Sequence, residues 1–312
     1  STTTSADDTS LRPIWARDDD PEDREHAEVD YAQLILDGIK TLGGGLRTAL
    51  GVSTITAKMV QRRFFDKDSR IALPLSAPRT SFNVHTGAAR SISFTSYSLE
   101  SLRAIGRSRE ASINDVVMTM CDMAVSRYFD EHGDRPKGPL VAYMPVNIRT
   151  EDDDGSGNLV TLLQVKLASE HIDPLDSLQE VRHSIASARE VYSGVSSTAV
   201  QYYSLMVALM SQFEETLNLD KYLPPVNNLV ISNVPGSRVM RYLRGAPIVG
   251  MYPISTLPPI TALNVTACSF AGTMYFGLIS GRTAIPDLDR LTGCLDDAFR
   301  QLADVTGVAA IQ

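Results

Sequence analysis

Tryptophan occurs once and cysteine three times in 312 residues, and the 29 lysines and arginines are outnumbered by 37 aspartates and glutamates. Each shortage removes a class of protein. Cys121, Cys268 and Cys294 are widely spaced and odd in number, which excludes a disulfide framework and fits buried free thiols in a reducing cytoplasm. A net charge of −8 argues against sequence-independent binding to nucleic acid or to an anionic membrane surface. No apolar run approaches the roughly 18 residues of a membrane span, and no signal peptide is recognisable. Of the five histidines, His26, His85, His132, His171 and His183, none has a partner at metal-ligand spacing, so no metal is expected. There is no glycine fingerprint of a nucleotide-binding βαβ unit and no G-x-S-x-G elbow. No methionine opens the chain, and Ser1-Thr2-Thr3-Thr4 reads as a polar loop inside a longer protein.

What is present is a globular composition, 43% hydrophobic and 21% charged. An acidic stretch, Asp18 to Asp30, leads into an apolar-periodic segment that stops at Gly43-Gly44-Gly45, the pattern of a helix with an acidic first turn. A second helix is expected around Ser53 to Phe65, then an irregular connector over residues 71 to 89. Regular elements follow: a strand from Arg90 to Leu99, and a helix from Ser112 whose apolar residues run Ile113, Val116, Val117, Met120, Cys121, Ala124, Val125 and Tyr128. Strands are predicted at Leu140 to Ile148 and Asn158 to Leu167, with a helix capped by Asp173-Pro174 and a methionine-rich helix over Val200 to Phe213. The strand ending in Ser232-Asn233, a further strand over Ile248 to Ser255, and a hairpin from Ala262 to Ser280 turning at Ala271-Gly272 come next. Asp287 caps the last helix. This is a mixed α/β domain behind a helical leader.

Few residues offer chemistry. Ser112 and Asp115 form a capping box, leaving Asn114 without a capping duty at a helix start. Read alone, Asn114 is an amide that ties two elements together, or one that aims a donor at a ligand. Ser232-Asn233-Val234-Pro235-Gly236 is an Asx-type turn with Pro235 and Gly236 at its centre, or a strand end facing a cleft. Asn264 and Thr266 alternate with Leu263 and Val265, giving one polar strand face that is either solvated or a cavity wall. The helix around Met206 to Met210 is apolar nearly all round, so it is buried on every side or lines a channel in which Ala208 leaves room. Lys58, Arg62, Arg63, Lys67 and Arg70, interleaved with Phe64-Phe65, read first as a solvated helix end and second as a contact for phosphates or a lipid-droplet surface. His26 and Asp30 stand i, i+4 and read as a surface ion pair. No complete catalytic set is present.

Ile113-Asn114-Asp115-Val116-Val117, Leu229 to Gly236, Ala262-Leu263-Asn264-Val265-Thr266, Tyr252-Pro253, Phe276-Gly277-Leu278 and Ile285-Pro286-Asp287 resemble, in order and spacing, the C-terminal part of the bacterial wax ester synthase/acyl-CoA:diacylglycerol acyltransferase family. The resemblance covers most of residues 70 to 305. It implies a chloramphenicol acetyltransferase-like, condensation-domain-like α/β fold in which two halves meet along a tunnel. Residues 1 to 88 would then be the end of the N-terminal half with a helical connector, and 89 to 312 the C-terminal acyltransferase-like domain. The family's signature H-H-x-x-x-D-G is not in this sequence, so the catalytic base is expected upstream and this chain alone is expected to be inactive. One departure is Pro258-Pro259-Ile260-Thr261, where the family usually has a glycine before the Ala-Leu-Asn run.

The implied activity is acyl-CoA-dependent O-acyl transfer to long-chain alcohols or diacylglycerol, with acyl-CoA as substrate and no cofactor. Asn114 and Asp115 would support the chemistry, and Ser232, Asn233, Pro235, Gly236, Asn264, Thr266, Ala208 and Met251 would line the tunnel. A cytoplasmic protein is implied, peripheral to membrane or lipid inclusions. The competing expectations are a condensation-type acyltransferase with another acceptor and a non-catalytic lipid-binding module.

Overall fold

The computed structural model describes residues 46–65, 70–147, 160–168 and 173–311. Its first described element, α1 (Leu46–Phe65), is followed by β1 (Arg90–Ser98), α2 (Leu99–Ser108) and α3 (Ile113–Glu131). Strands β2 (Val141–Asn147) and β3 (Val160–Lys166) precede α4 (Pro174–Tyr192) and α5 (Ser197–Thr216). Then come β4 (Leu229–Val234), the short pair β5 (Tyr242–Leu243) and β6 (Ala246–Pro247), the hairpin β7 (Leu263–Phe270) and β8 (Thr273–Gly281), and α6 (Leu288–Thr306).

Helix starts follow the expected chemistry. Ser112 accepts from Asp115 N while the Asp115 carboxylate accepts from Ser112 N, satisfying donors that a helix start leaves open. Asp173 accepts from Leu175 N ahead of Pro174. The β7–β8 turn places Ala271 at φ 45° and Gly272 at φ 88°, the left-handed pair that matches the twist of a two-residue hairpin. Six strands form one sheet in the order β1-β8-β7-β4-β2-β3. The central strands β2, β4 and β7 are parallel, and the flanking pairs are antiparallel.

Alternation along each strand divides the sheet into two faces. Ala142, Met144, Leu163, Val165, Leu229, Ile231, Leu263, Val265, Ala267, Phe276 and Leu278 join the main core, together with residues of α2, α3, α4 and α6. Helix α3 is the keystone, packed against both α4 and α6. Tyr143 and Val230 point the other way, into a smaller core with Ile55 and Met59 of α1 and Val200, Tyr203 and Val207 of α5.

Two expectations are corrected. Ile248 to Ser255 is not a strand. Strand β8 already has β1 and β7 as neighbours, and Pro247 and Pro253 have no N–H to offer a ladder, so this segment crosses the sheet face as an irregular strap. Asp287 stands at the N-cap position of α6 without making a side-chain cap bond. Its carboxylate instead accepts from Tyr128 Oη and lies 3.0 Å from His132 Nε2, tying α6 to the end of α3. The helix predicted from Ser53 begins at Leu46, and that predicted from Val200 begins at Ser197.

Candidate functional site

Side chains alternate along β4, so Ser232 and Asn233 emerge on opposite faces. Asn233 faces the main core side and donates from Nδ2 to Asn114 Oδ1 at 2.5 Å, joining the end of β4 to the first turn of α3. Both amides are half-buried. The Asn114 NH₂ donates to nothing among the described residues, so after orienting this side chain the pair retains an unused donor. It stands at the carboxyl end of a parallel strand and beside a helix N-terminus, where open α/β sheets place ligands. Asp115, 7% exposed, spends its carboxylate on Ser112.

Gly236 is no turn glycine. A Cβ there would lie 2.0 Å from Ser269 O, and Gly236 N donates to Ser269 Oγ at 3.1 Å. Pro235 and Gly236 therefore carry the chain closely past the end of β7. Close approach to backbone, not a left-handed φ, is the reason for the glycine.

On the opposite face Ser232 stands beside Thr266, its register partner. Thr266 Oγ1 donates to Asn264 Oδ1 at 3.0 Å, and Asn264 Nδ2 donates to Thr256 O at 2.7 Å. The polar face expected from sequence is thus a set of anchors for the strap. Further along, Pro253 O lies where a Gly277 Cβ would be, 1.7 Å away. Tyr275 Oη donates to Val249 O at 3.0 Å, and Cys268 Sγ lies 3.8 Å from Met251 Sδ. Tyr252 packs its ring between Phe94 and Tyr275. The outer side of the strap is apolar and exposed at Val249, Met251, Tyr252 and Ile254. Ile260, in the loop where the family's glycine is expected, holds φ 50°, a conformation unfavourable for a β-branched residue.

The other sequence-predicted residues fall elsewhere. Ala208 is exposed on α5. Lys58 donates to Ser193 O and Arg62 pairs with Glu190, so both fasten α1 to the end of α4, and Arg70 pairs bidentately with Glu180. His26, Asp30, Lys67 and His171 lie outside the described residues. The cysteines are free and buried, and among the described residues no group of three or more His, Cys, Asp or Glu side chains is placed to hold a metal. No described helix is long and apolar enough to cross a membrane.

Three features had weak signals in the sequence. The strap was hidden by its proline content. A knot of amides joins the connector to the sheet: Asn83 donates to Asn227 O and Ile260 O, and Asn228 donates to Asn83 Oδ1 and Pro78 O while accepting from Val141 N. The adjacent Asn227-Asn228 before an apolar run was its only trace. Asp122, on the second turn of α3, is fully buried. It accepts from Ala168 N and Ser177 Oγ, and burial, reinforced by the Glu180 charge, pushes its carboxyl up to about 7. Its Oδ1 has no partner.

A mixed sheet with helices closing one face and polar groups at the carboxyl ends of its parallel strands is the α/β architecture of chloramphenicol acetyltransferase-like and condensation-type folds. A wax ester synthase/diacylglycerol acyltransferase from Marinobacter aquaeolei VT8 has this fold: TM-score 0.69 at 24% identity, covering 98% of this chain and 63% of that one. A nonribosomal peptide synthetase structure follows at TM-score 0.53 and 12% identity, covering 88% of this chain and 27% of that one. The wax ester synthase/diacylglycerol acyltransferase catalytic-domain model matches residues 1–117, and the family's C-terminal-domain model matches 156–303. The chain belongs to the wax ester synthase/diacylglycerol acyltransferase family. A Mycobacterium tuberculosis protein named as a diacylglycerol O-acyltransferase is 32% identical over 270 residues, 86% of this chain and 60% of its own length. The O-acyltransferase WSD of Acinetobacter baylyi is 31% identical over 268 residues, 84% of this chain and 57% of its own. The chain thus spans about 60% of the length of these relatives. The catalytic-domain match extends the resemblance upstream of residue 70.

Proposed function

We propose that this chain is the C-terminal share of an acyl-CoA-dependent O-acyltransferase that makes wax esters or triacylglycerols from long-chain alcohols or diacylglycerol. A signature histidine from residues outside this sequence takes the proton of the acceptor hydroxyl. The hydroxyl oxygen attacks the thioester carbonyl, the C–S bond breaks, CoA leaves as thiolate and takes up a proton, and the ester remains. General-base assistance supplies about 10²–10⁴-fold. Acyl-CoA is the substrate, and no cofactor is required.

The observation that carries the proposal is the Asn114–Asn233 pair. It presents an oriented amide at the open end of the sheet, suited to a carbonyl oxygen that gains charge. A single donor of this kind contributes about 2.7–4 kcal/mol in the transition state. The strap, with Met251 and its apolar neighbours held by Ser232, Asn264 and Thr266 beneath, serves as a wall for the acyl chain. Burying sixteen carbons at about 0.8 kcal/mol per CH₂ offers about 12 kcal/mol as an upper bound. Work on such chains fits a cytoplasmic protein that touches lipid inclusions peripherally.

The test is thioester release and ester formation from palmitoyl-CoA and hexadecanol, comparing this chain with the same chain joined to a segment bearing H-H-x-x-x-D-G. Ester is expected from the joined form alone. In that form Asn114→Ala lowers kcat about 10²–10³-fold while leaving the unfolding midpoint nearly unchanged. Ester formation by this chain alone, or full turnover in Asn114→Ala, overturns the assignment.

A further inference from the structure

Helix α1 is packed on one side only. Ile55 and Met59 are buried in the smaller core, and a Cβ on Gly51 would stand 2.4 Å from Ala199 Cβ, marking the crossing with α5. The other side is open. Ala49, Val52, Ser53, Thr56, Ala57 and Val60, with Tyr202 of α5, line a mainly apolar groove of about 680 Å³. The α1 side chains lining it are all short, so the groove is shaped to receive larger apolar groups.

We propose that residues 31 to 42 of this same chain fill the groove, folded back along α1 as an antiparallel helix that turns at Gly43-Gly44-Gly45. Connectivity is the first argument. Only those three glycines separate Leu42 from Leu46, and helices joined by two to five residues pack antiparallel. Pattern is the second. Ala32, Ile35, Ile39 and Leu42 recur at spacings of three and four and form one apolar face, while Gln33, Asp37 and Lys40 fall on the other. With Gly44 as pivot, Ile39 lies opposite Ala49, Ile35 opposite Ser53, and Ala32 opposite Thr56. Large side chains on the incoming helix thus meet small ones on α1.

Charge is the third argument, and it sets the direction. The stretch Asp18 to Asp30 holds eight acidic residues, whereas α1 holds none and has Lys58, Arg62 and Arg63 in its second half. Folding back about Gly44 brings Glu22, Asp23, Glu25 and Glu28 alongside that basic end. The same arrangement sets the acidic first turn of one helix beside the carboxyl end of the other, where both macrodipoles gain. Such a hairpin leaves little apolar surface on α1 exposed to water between Ala49 and Val60.

Cysteine pairs in the full chain test the register. Ile35→Cys with Ser53→Cys is expected to close an intrachain disulfide on mild oxidation of dilute protein. Gln33→Cys with Ser53→Cys, on the far side of the incoming helix, should close at least tenfold more slowly. The native cysteines are buried and leave this readout clean. Bridges between chains would mean that a second copy occupies the groove. Protection of Ser53→Cys from thiol reagents only when phosphatidylglycerol vesicles are added would mean a lipid occupant. Equal closure rates would mean no fixed register. Each of these overturns the proposal. A second readout guards against misfolded variants. Ile39→Asp is expected to raise amide exchange in α1 at least tenfold while β7 and β8 stay protected, and unchanged exchange in α1 overturns the proposal too.

Discussion

The two faces of the sheet are covered by different means. On one, α2, α3, α4 and α6 close over a continuous apolar core. On the other, α1 and α5 cover the β2–β3 end with a smaller core, while the β1–β8–β7 end carries only the strap from Ile248 to Pro259. Beneath the strap lie Asn264, Thr266 and Ser232, and above it lie exposed apolar side chains. The helix-covered face is fixed by area and fit, which tolerate no polar group without a partner nearby. The strap-covered face is fixed by a few directed bonds and one close backbone contact, an arrangement that can bind and release. Function is sought at the second face and at the sheet end where Asn114 meets Asn233.

That contrast gives a graded set of expectations. Phe276, fully buried on the helix-covered side, should cost about 3–5 kcal/mol as Phe276→Ala, read from cooperative denaturant unfolding. A loss under 1 kcal/mol would mean that this face is not the continuous core described. Asp122 is the charge within that face. The unfolded carboxyl ionises near 3.8, whereas burial holds the folded one to about 7. Stability from this group is complete below 3.8 and is lost as pH rises to about 7, by about 4 kcal/mol as an upper bound. Asp122→Asn should flatten that slope, and an unchanged pH profile would place the slope elsewhere.

On the other face Gly277→Ala must push Pro253 O aside. A loss of about 1–3 kcal/mol is expected, with faster proteolysis confined to the strap. Uniform loosening of the domain would show that strap and core are one unit. The smallest effect belongs to the surface tie between α3 and α6. His132 is raised above its ordinary value, chiefly by the Tyr128 carbonyl and then by the Asp287 charge, against some desolvation. Its contribution is therefore present below about 6.5 and fades as pH rises through the higher folded value. For a pair this exposed, His132→Ala should cost under about 1 kcal/mol at pH 5.5 and less at pH 8.5.

Legibility in the sequence followed the same division. Helix α3, the capping box of Ser112 and Asp115, and the Ala271-Gly272 hairpin could be read directly, because period and turn chemistry are local. So could the family, from motifs whose positions the fold explains: Gly277 gives way to Pro253, and Asn264 holds Thr256. What could not be read was pairing at a distance. Asn114 and Asn233 are 119 residues apart, and nothing in either stretch names the other as its partner. The strap was taken for a strand because its apolar residues look like one. Only the occupied edges of β8 rule that out. Gly236 looked like a turn because Pro-Gly usually is one, and the requirement for it comes from Ser269 on another strand.

The amide knot around Asn83 bears on where the domain can be cut. Phe82 stacks 4.5 Å, ring centre to ring centre, from Phe129 inside the main core, and Ile71 bridges to Val165 at the sheet edge. A truncation that began at the first regular strand would remove an aromatic plug and leave Asn228 searching for acceptors. The smallest piece that folds by itself should therefore start no later than Ile71, some twenty residues ahead of β1.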